Sequence, residues 1–313
     1  MSFLKKLVSA GVALTTAAAL AACSVDTADT EAQAPSDGLT VVASTGYLAD
    51  AVQNIAPEAK VTTLVKPGGD PHTQALTSSD VQEIEKADLM VWTSHDMEHK
   101  MMDQFDKLGD RSLPAAEAID ESDLLPWEED GKIEGHDPHV WNSPENWTTT
   151  VNAIADKLGS IDSAHADEYT ANAKAYTEEI AKLEQYGKDK LKDVPTDKRF
   201  LITGHDAFNY LGKTFGLEVL ATDFVSSESE MSAQAMDELA QTIVDHKVKV
   251  LFQDNLKNPE VIRHLQDSVR AKGGDVTISD DVLYADTLGE TAPVDTYIGA
   301  FRHNIDAIAS ALS

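Results

Sequence analysis

Residues 163–194 read SAHADEYTANAKAYTEEIAKLEQYGKDKLKDV, and the fold turns on this stretch. It contains no proline until Pro195 closes it. Tyr169, Ala173, Tyr176, Ile180, Leu183 and Leu191 recur mostly at intervals of three and four. Such spacing puts them on one buried stripe of a helix. At 1.5 Å per residue, about thirty residues span roughly 45 Å. That is more than one small domain needs, so the segment reads as a connector between two.

What lies on either side fits that reading. Upstream, the β-type runs Leu39–Ser44 (LTVVAS), Lys60–Val65 (KVTTLV) and Leu89–Thr93 (LMVWT) alternate with helical patterns over Tyr47–Ile55, Ser79–Lys86, Met97–Leu108 and Glu145–Leu158. The last has Pro144 at its first turn and Asn142 or Ser143 as its cap. Downstream, strands are expected over Arg199–Thr203, Glu218–Ala221, Lys249–Gln253 and Val276–Ser279. Helices are expected over Ala207–Phe215, Ser232–His246, Pro259–Lys272 and Thr296–Leu312. Alternation of this kind signals parallel α/β units. The expected fold class is α/β: two lobes, each with a mainly parallel sheet, joined by one long rigid helix.

The amino terminus reads as an address. Lys5 and Lys6 precede an apolar stretch from Leu7 to Ala22, too short for a lasting membrane span. It ends in Leu20-Ala21-Ala22-Cys23, a pattern like a bacterial lipobox. Cys23 is the single cysteine, so no intrachain disulfide or cysteine-based zinc site is possible. The expected organisation is a lipoprotein signal peptide over 1–22, a lipidated Cys23 with a flexible tether to 38, lobes over 39–162 and 195–313, and the connecting helix over 163–194. The rest of the 313 residues is expected outside the cytoplasm. The full 313 residues include 25 Lys plus Arg against 54 Asp plus Glu, for a formal charge of −29. That balance argues against nucleic acid as a partner, because phosphate binding needs a cationic face. It suits a cation, or simply a solvated acidic coat.

Ten histidines are candidates for chemistry. His72 ends Gly69-Asp70-Pro71-His72, a loop between a strand and a helix. His139 ends a second Asp-Pro-His, at 137–139, and His205 follows a strand in Thr203-Gly204-His205-Asp206. Loops at the carboxyl ends of strands line the crevice of α/β folds, and proline stiffens the first two. Three imidazoles at one kind of position, with an acid from among Asp280, Asp281 and Asp286, form a donor set for zinc, manganese or iron. His95 and His99 would share a helix face, but the Glu that a metalloprotease needs after the first histidine is Asp96 here. No G-x-S-x-G elbow or phosphate-binding loop is present. His165, His246, His264 and His303 lie in helical patterns and read as surface or packed residues. Trp92, Trp127, Trp141 and Trp147 read as packing between or within lobes.

These motifs together resemble the cluster A-I solute-binding lipoproteins of zinc/manganese ABC importers, most like the treponemal zinc/manganese-binding member. The likeness covers nearly all of 39–313. It rests on GDPH at 69–72, DPHVW at 137–141, TGHDAFNYLGKTFGLEV at 203–219, VSSESEMSA at 225–233, LYADTLG at 283–289 and YIGAFRHNIDAI at 297–308. The resemblance implies four metal ligands, His72, His139, His205 and Asp286, and so selects among the three acids. Many manganese-selective relatives carry Glu in place of His205. Many zinc-specific ones carry a His-rich insertion that the acidic 120–134 segment lacks. The chain thus has one mark missing from each subclass.

The function implied is capture of one Mn2+ or Zn2+ ion between the lobes and delivery to an ABC-transporter permease. The protein would be a monomeric non-enzyme, lipid-anchored to the outer face of the cell membrane. Three imidazoles favour zinc over manganese in the general affinity order. Alternatives are a surface adhesin with a structural metal, a haem or siderophore binder, and a zinc-dependent hydrolase.

Overall fold

A computed structural model describes residues 38–129, 132–225, 231–256 and 259–313. The signal segment 1–22, Cys23, the tether up to Asp37 and residues 226–230 of the VSSESEMSA motif lie outside them.

The first lobe opens with β1 (Thr40–Ala43), α1 (Gly46–Ile55), β2 (Lys60–Thr63), α2 (Ser78–Lys86), β3 (Leu89–Trp92), α3 (Met102–Asp106) and β4 (Ser112–Pro114). The four strands form one parallel sheet in the order β2-β1-β3-β4. Two-residue periodicity explains its two faces. Val41, Ala43, Leu89 and Val91 point into the main core, while Val42, Met90 and Trp92 pack with Met101 and Phe105 on the other side. A hairpin of β5 (Pro126–Glu129) and antiparallel β6 (Lys132–His136) follows. Next comes α4 (Pro144–Ile161), with Pro144 in its first turn. The Ser143 hydroxyl accepts from the Asn146 N–H at 3.2 Å and caps it.

The connecting helix α5 runs from Ala166 to Leu191. Its 26 residues span about 39 Å, somewhat less than the sequence suggests. Asp167 and Glu168 stand in its first turn and Lys188 and Lys190 in its last, matching the helix dipole at both ends. It packs on α4 and α1 of the first lobe.

The second lobe contains β7 (Phe200–Thr203), α6 (Asn209–Phe215), β8 (Glu218–Ala221), α7 (Ala233–Asp245), β9 (Val250–Leu251), α8 (Pro259–Ala271), β10 (Thr277–Ile278) and α9 (Tyr297–Leu312). Helices α6 and α9 pack on the other end of α5. Strand β7 pairs in parallel with β8, and β9 with β10. A parallel bridge from Thr203 to Phe252 joins the two pairs. The α/β, two-lobe expectation therefore holds. The main core runs through both lobes, with Leu48, Trp141, Trp147, Ile180, Phe208, Tyr297 and Phe301 in one cluster.

The largest departure from the sequence reading is at Met97–Leu108. Only residues 102–106 are α-helical. The chain passes first through three left-handed residues, Ser94 (φ 86°), His95 (52°) and Asp96 (66°). Glu98 explains this path. It is fully buried, and its carboxylate accepts from the Ser44 hydroxyl at 2.5 Å, Thr93 N–H at 2.8 Å and Ser94 N–H at 3.2 Å. Reaching those donors bends the backbone back on the strand end instead of starting a helix.

Candidate metal centre

The repeated Asp-Pro-His produces the same turn twice. Asp70 Oδ1 accepts from the His72 N–H at 2.9 Å, and Asp137 Oδ1 accepts from the His139 N–H at 3.0 Å. In each, an aspartate bonds the backbone two residues on, and proline fixes the intervening angle. His205 leaves the end of β7 through Gly204. A β-carbon at 204 would lie 2.8 Å from Asp254 Oδ2, so any larger residue would displace that carboxylate. Asp286 lies in the loop after Leu283, which bridges to Asp254.

These four positions converge. One donor atom each from His72, His139, His205 and Asp286 lies within 4.8 Å of every other, and all four residues are buried. The Nε2 atoms of His139 and His205 are 3.2 Å apart. Asp286 Oδ1 is 3.3 Å from His139 Nε2, and Oδ2 is 3.4 Å from His205 Nε2 and 3.6 Å from His72 Nε2. Ligands at about 2.1 Å from a tetrahedral ion are about 3.4 Å from one another. The observed spacings bracket that value. His72 Nε2 and both Asp286 oxygens are buried without a hydrogen-bond partner. Such atoms are costly unless something else satisfies them, and here all of them face one point. With both oxygens of Asp286 turned inward, either a four- or a five-donor shell can form.

Electrostatics divide the four. Burial draws the His72 imidazole down to about 4, against the pull of Asp286. Burial also lowers His205, again with Asp286 opposing. At His139 burial is outweighed by Asp137 and Asp286, which push it up to about 10. Burial would raise Asp286, but His205, His139 and His72 together hold it well below the usual carboxylate range. His139 is therefore the imidazole held in its charged form, between Asp137 and Asp286, while burial favours the neutral form of His72 and His205.

The support around His139 was not read from the sequence. Asp137 Oδ1 accepts from His139 Nδ1 at 2.7 Å, which directs Nε2 inward. Asn209 donates to Asp137 Oδ2 at 3.1 Å, and the Tyr210 hydroxyl donates to the Asp137 carbonyl at 2.9 Å. The signal was present in the repeated aspartate two places before histidine. The contact of Asp137 with the ring was not, since Asp70 in the equivalent place bonds the Thr73 hydroxyl at 2.8 Å instead.

Other candidates sit elsewhere. Asp280 and Asp281 are exposed. His95 and His99 share no helix face. His99 pairs with Asp96 at 2.9 Å, and the His95 ring lies 5.5 Å from that of His136. Trp141 stacks on Tyr47 with ring centres 4.9 Å apart, and its Nε1 donates to the Ala285 carbonyl at 3.0 Å, next to Asp286.

Comparison with known proteins agrees in extent with this architecture. Residues 41–311 match the family described as zinc-uptake complex component A, periplasmic. The chain is 33% identical to the manganese-binding lipoprotein MntA of Bacillus subtilis, over 94% of this chain and 95% of that protein. It is 36% identical to the zinc-binding protein TroA of Treponema pallidum, over 90% and 91% respectively. The solved structure of the periplasmic zinc-binding TroA superposes with a TM-score of 0.84 at 35% identity, covering 88% of this chain and 99% of that one. On its matched length, its relatives and its fold, the chain belongs to the zinc-uptake complex component A family of solute-binding proteins.

Proposed function

We propose that the protein captures one divalent transition-metal ion, manganese or zinc, through His72, His139, His205 and Asp286, and delivers it to the permease of an ABC importer. The carrying observation is the set of four buried donor groups within 4.8 Å of one another, with four separations of 3.2–3.6 Å, in which His72 Nε2 and both Asp286 oxygens have no hydrogen-bond partner. Relatives named for manganese and for zinc support both ions as cargo. Three imidazoles and a carboxylate close a shell, leaving no open position for the activated water of a catalytic zinc site. The role is therefore binding and not catalysis. The protein acts as a monomer outside the cytoplasm, tethered by lipid on Cys23. Among the described residues no helix is long and apolar enough to cross a membrane, which suits attachment by lipid alone.

The test is thermal unfolding of the chelator-stripped domain, residues 24–313, with manganese, zinc and iron(II), beside His205→Glu. Zinc should stabilise most. The variant should gain response to manganese, because a carboxylate is the harder donor. Stripping should leave the chain folded. A chain that unfolds when stripped would point instead to a structural metal in an adhesin, and no response to any ion would remove the site.

A further inference from the structure

We propose that Thr287 is a latch between the lobes that sets how long the ion is held, a reading that rests on the four-residue site above. Thr287 directly follows Asp286 and is buried. Its hydroxyl oxygen accepts two hydrogen bonds. One comes from Asn255 Nδ2 of the second lobe, at 2.9 Å. The other comes from the backbone N–H of Gly68 in the first, at 3.0 Å. Gly68 immediately precedes the Gly69-Asp70-Pro71-His72 turn. One oxygen thus receives a donor from each lobe, and it pins the loop of His72 to the loop of Asp286.

Asn255 braces this oxygen from behind. Its Nδ2 also donates to the Thr287 carbonyl at 2.7 Å, and its Oδ1 accepts from the Ala285 N–H at 3.0 Å. The residues on both sides of Asp286 are therefore held by one side chain. Asn304 of α9 fixes the next residue back, accepting from the Tyr284 N–H and donating to its carbonyl, both at 2.9 Å. No hydroxyl or amide donates to the Asp286 carboxylate, whose nearest polar neighbour is His139 Nε2 at 3.3 Å. Its aim comes from its backbone, and that backbone is tied to His72 through the Thr287 hydroxyl. Separating His72 from Asp286, the step that frees the ion, requires the Gly68 bond to break. The Thr287 hydroxyl is engaged by Gly68 and Asn255 and is not one of the four converging donors, so Thr287 is a positioning residue.

The experiment loads the full domain with cobalt(II) as a visible probe, mixes it with excess chelator and follows loss of the cobalt spectrum. Thr287→Val keeps the shape and removes the acceptor, leaving the Gly68 N–H unmet and the Asn255 amide with only the Thr287 carbonyl. It should release the ion on the order of tenfold faster, the factor that one unmade hydrogen bond supplies. Thr287→Ser restores the oxygen and should stay within about twofold of wild type. Asn255→Ala should speed release at least as much as Thr287→Val, because it frees the Thr287 carbonyl and the Ala285 N–H as well as the hydroxyl oxygen. The metal-free thermal midpoint is measured for each, since a merely structural role would move that midpoint without separating Val from Ser in release rate. If Thr287→Val does not fold, Thr287→Ala against Thr287→Ser carries the same comparison. A wild type that takes up no cobalt overturns the site itself. A wild type that holds cobalt, with Val releasing it no faster or Ser as fast as Val, overturns the latch alone.

Discussion

His139 is the residue on which acid acts first. Against burial, Asp137 and Asp286 raise its imidazole from 6.5 to about 10. In the protein without an ion it is therefore protonated throughout the neutral range, and an entering ion must displace that proton. Metal affinity should fall about tenfold per pH unit from 7 to 5, and more steeply below about 4, where His72 also takes a proton. Calorimetry in buffers of different ionisation heat should find about one proton released per ion at pH 7. A flat affinity between pH 7 and 5 would contradict it. The same raised value has an opposite consequence for the ion-free fold. The pairs of His139 with its carboxylates stabilise it fully below 6.5, and that contribution is lost as pH rises through about 10. Asp137→Asn removes the charge behind the ring. It should lower metal affinity by about 10- to 100-fold in a chelator competition, with the metal-free circular dichroism spectrum unchanged.

Among the elements, α5 shows what a sequence declares and what it withholds. Its buried stripe of Tyr169, Ala173, Tyr176, Ile180 and Leu183 is legible from periodicity alone. Gly187 is not. It is buried where α5 crosses α6 and α9, and a β-carbon there would come within 2.6 Å of the Phe215 ring and 3.3 Å of Ile305. Gly187→Val should destabilise the protein by about 1–3 kcal/mol through overpacking, read as a lower urea midpoint. In isolation such a glycine reads only as a weak point in a helix. The same limit hid β4, whose three residues Ser112-Leu113-Pro114 include a proline and pair only along one edge of the sheet. It also hid the turn at Ser94–Asp96, which depends on the buried Glu98 meeting Ser44, far away in the chain. The three histidines were visible as candidates because their loops carry local marks, Asp-Pro-His twice and a strand end once. Asp286 was not separable from Asp280 and Asp281 by spacing. It differs in where Asn255 and Asn304 hold its backbone, and those contacts span about 20 to 30 residues of sequence.

At the scale of the whole molecule, the lobes meet across a seam of buried hydrogen bonds. Trp141 donates to Ala285, the Tyr297 hydroxyl donates to the Trp141 carbonyl at 3.0 Å, and Asn142 donates to the Ala207 carbonyl at 2.7 Å. Wide opening would break all of them at once. The radius of gyration should therefore stay near about 19 Å with and without the ion in small-angle scattering. An increase of several ångströms on stripping would show that the seam parts. Helix α9 has a consequence of another kind. Its 16 residues, 297–312, follow every other described element in the chain, yet Tyr297, Phe301 and Ile305 fill the same core as Leu39, Tyr47 and Trp147. A ribosome or an export channel delivers the chain from its amino end. The first lobe thus emerges without the α9 side chains that complete its core, and the native state must wait until α9 has followed.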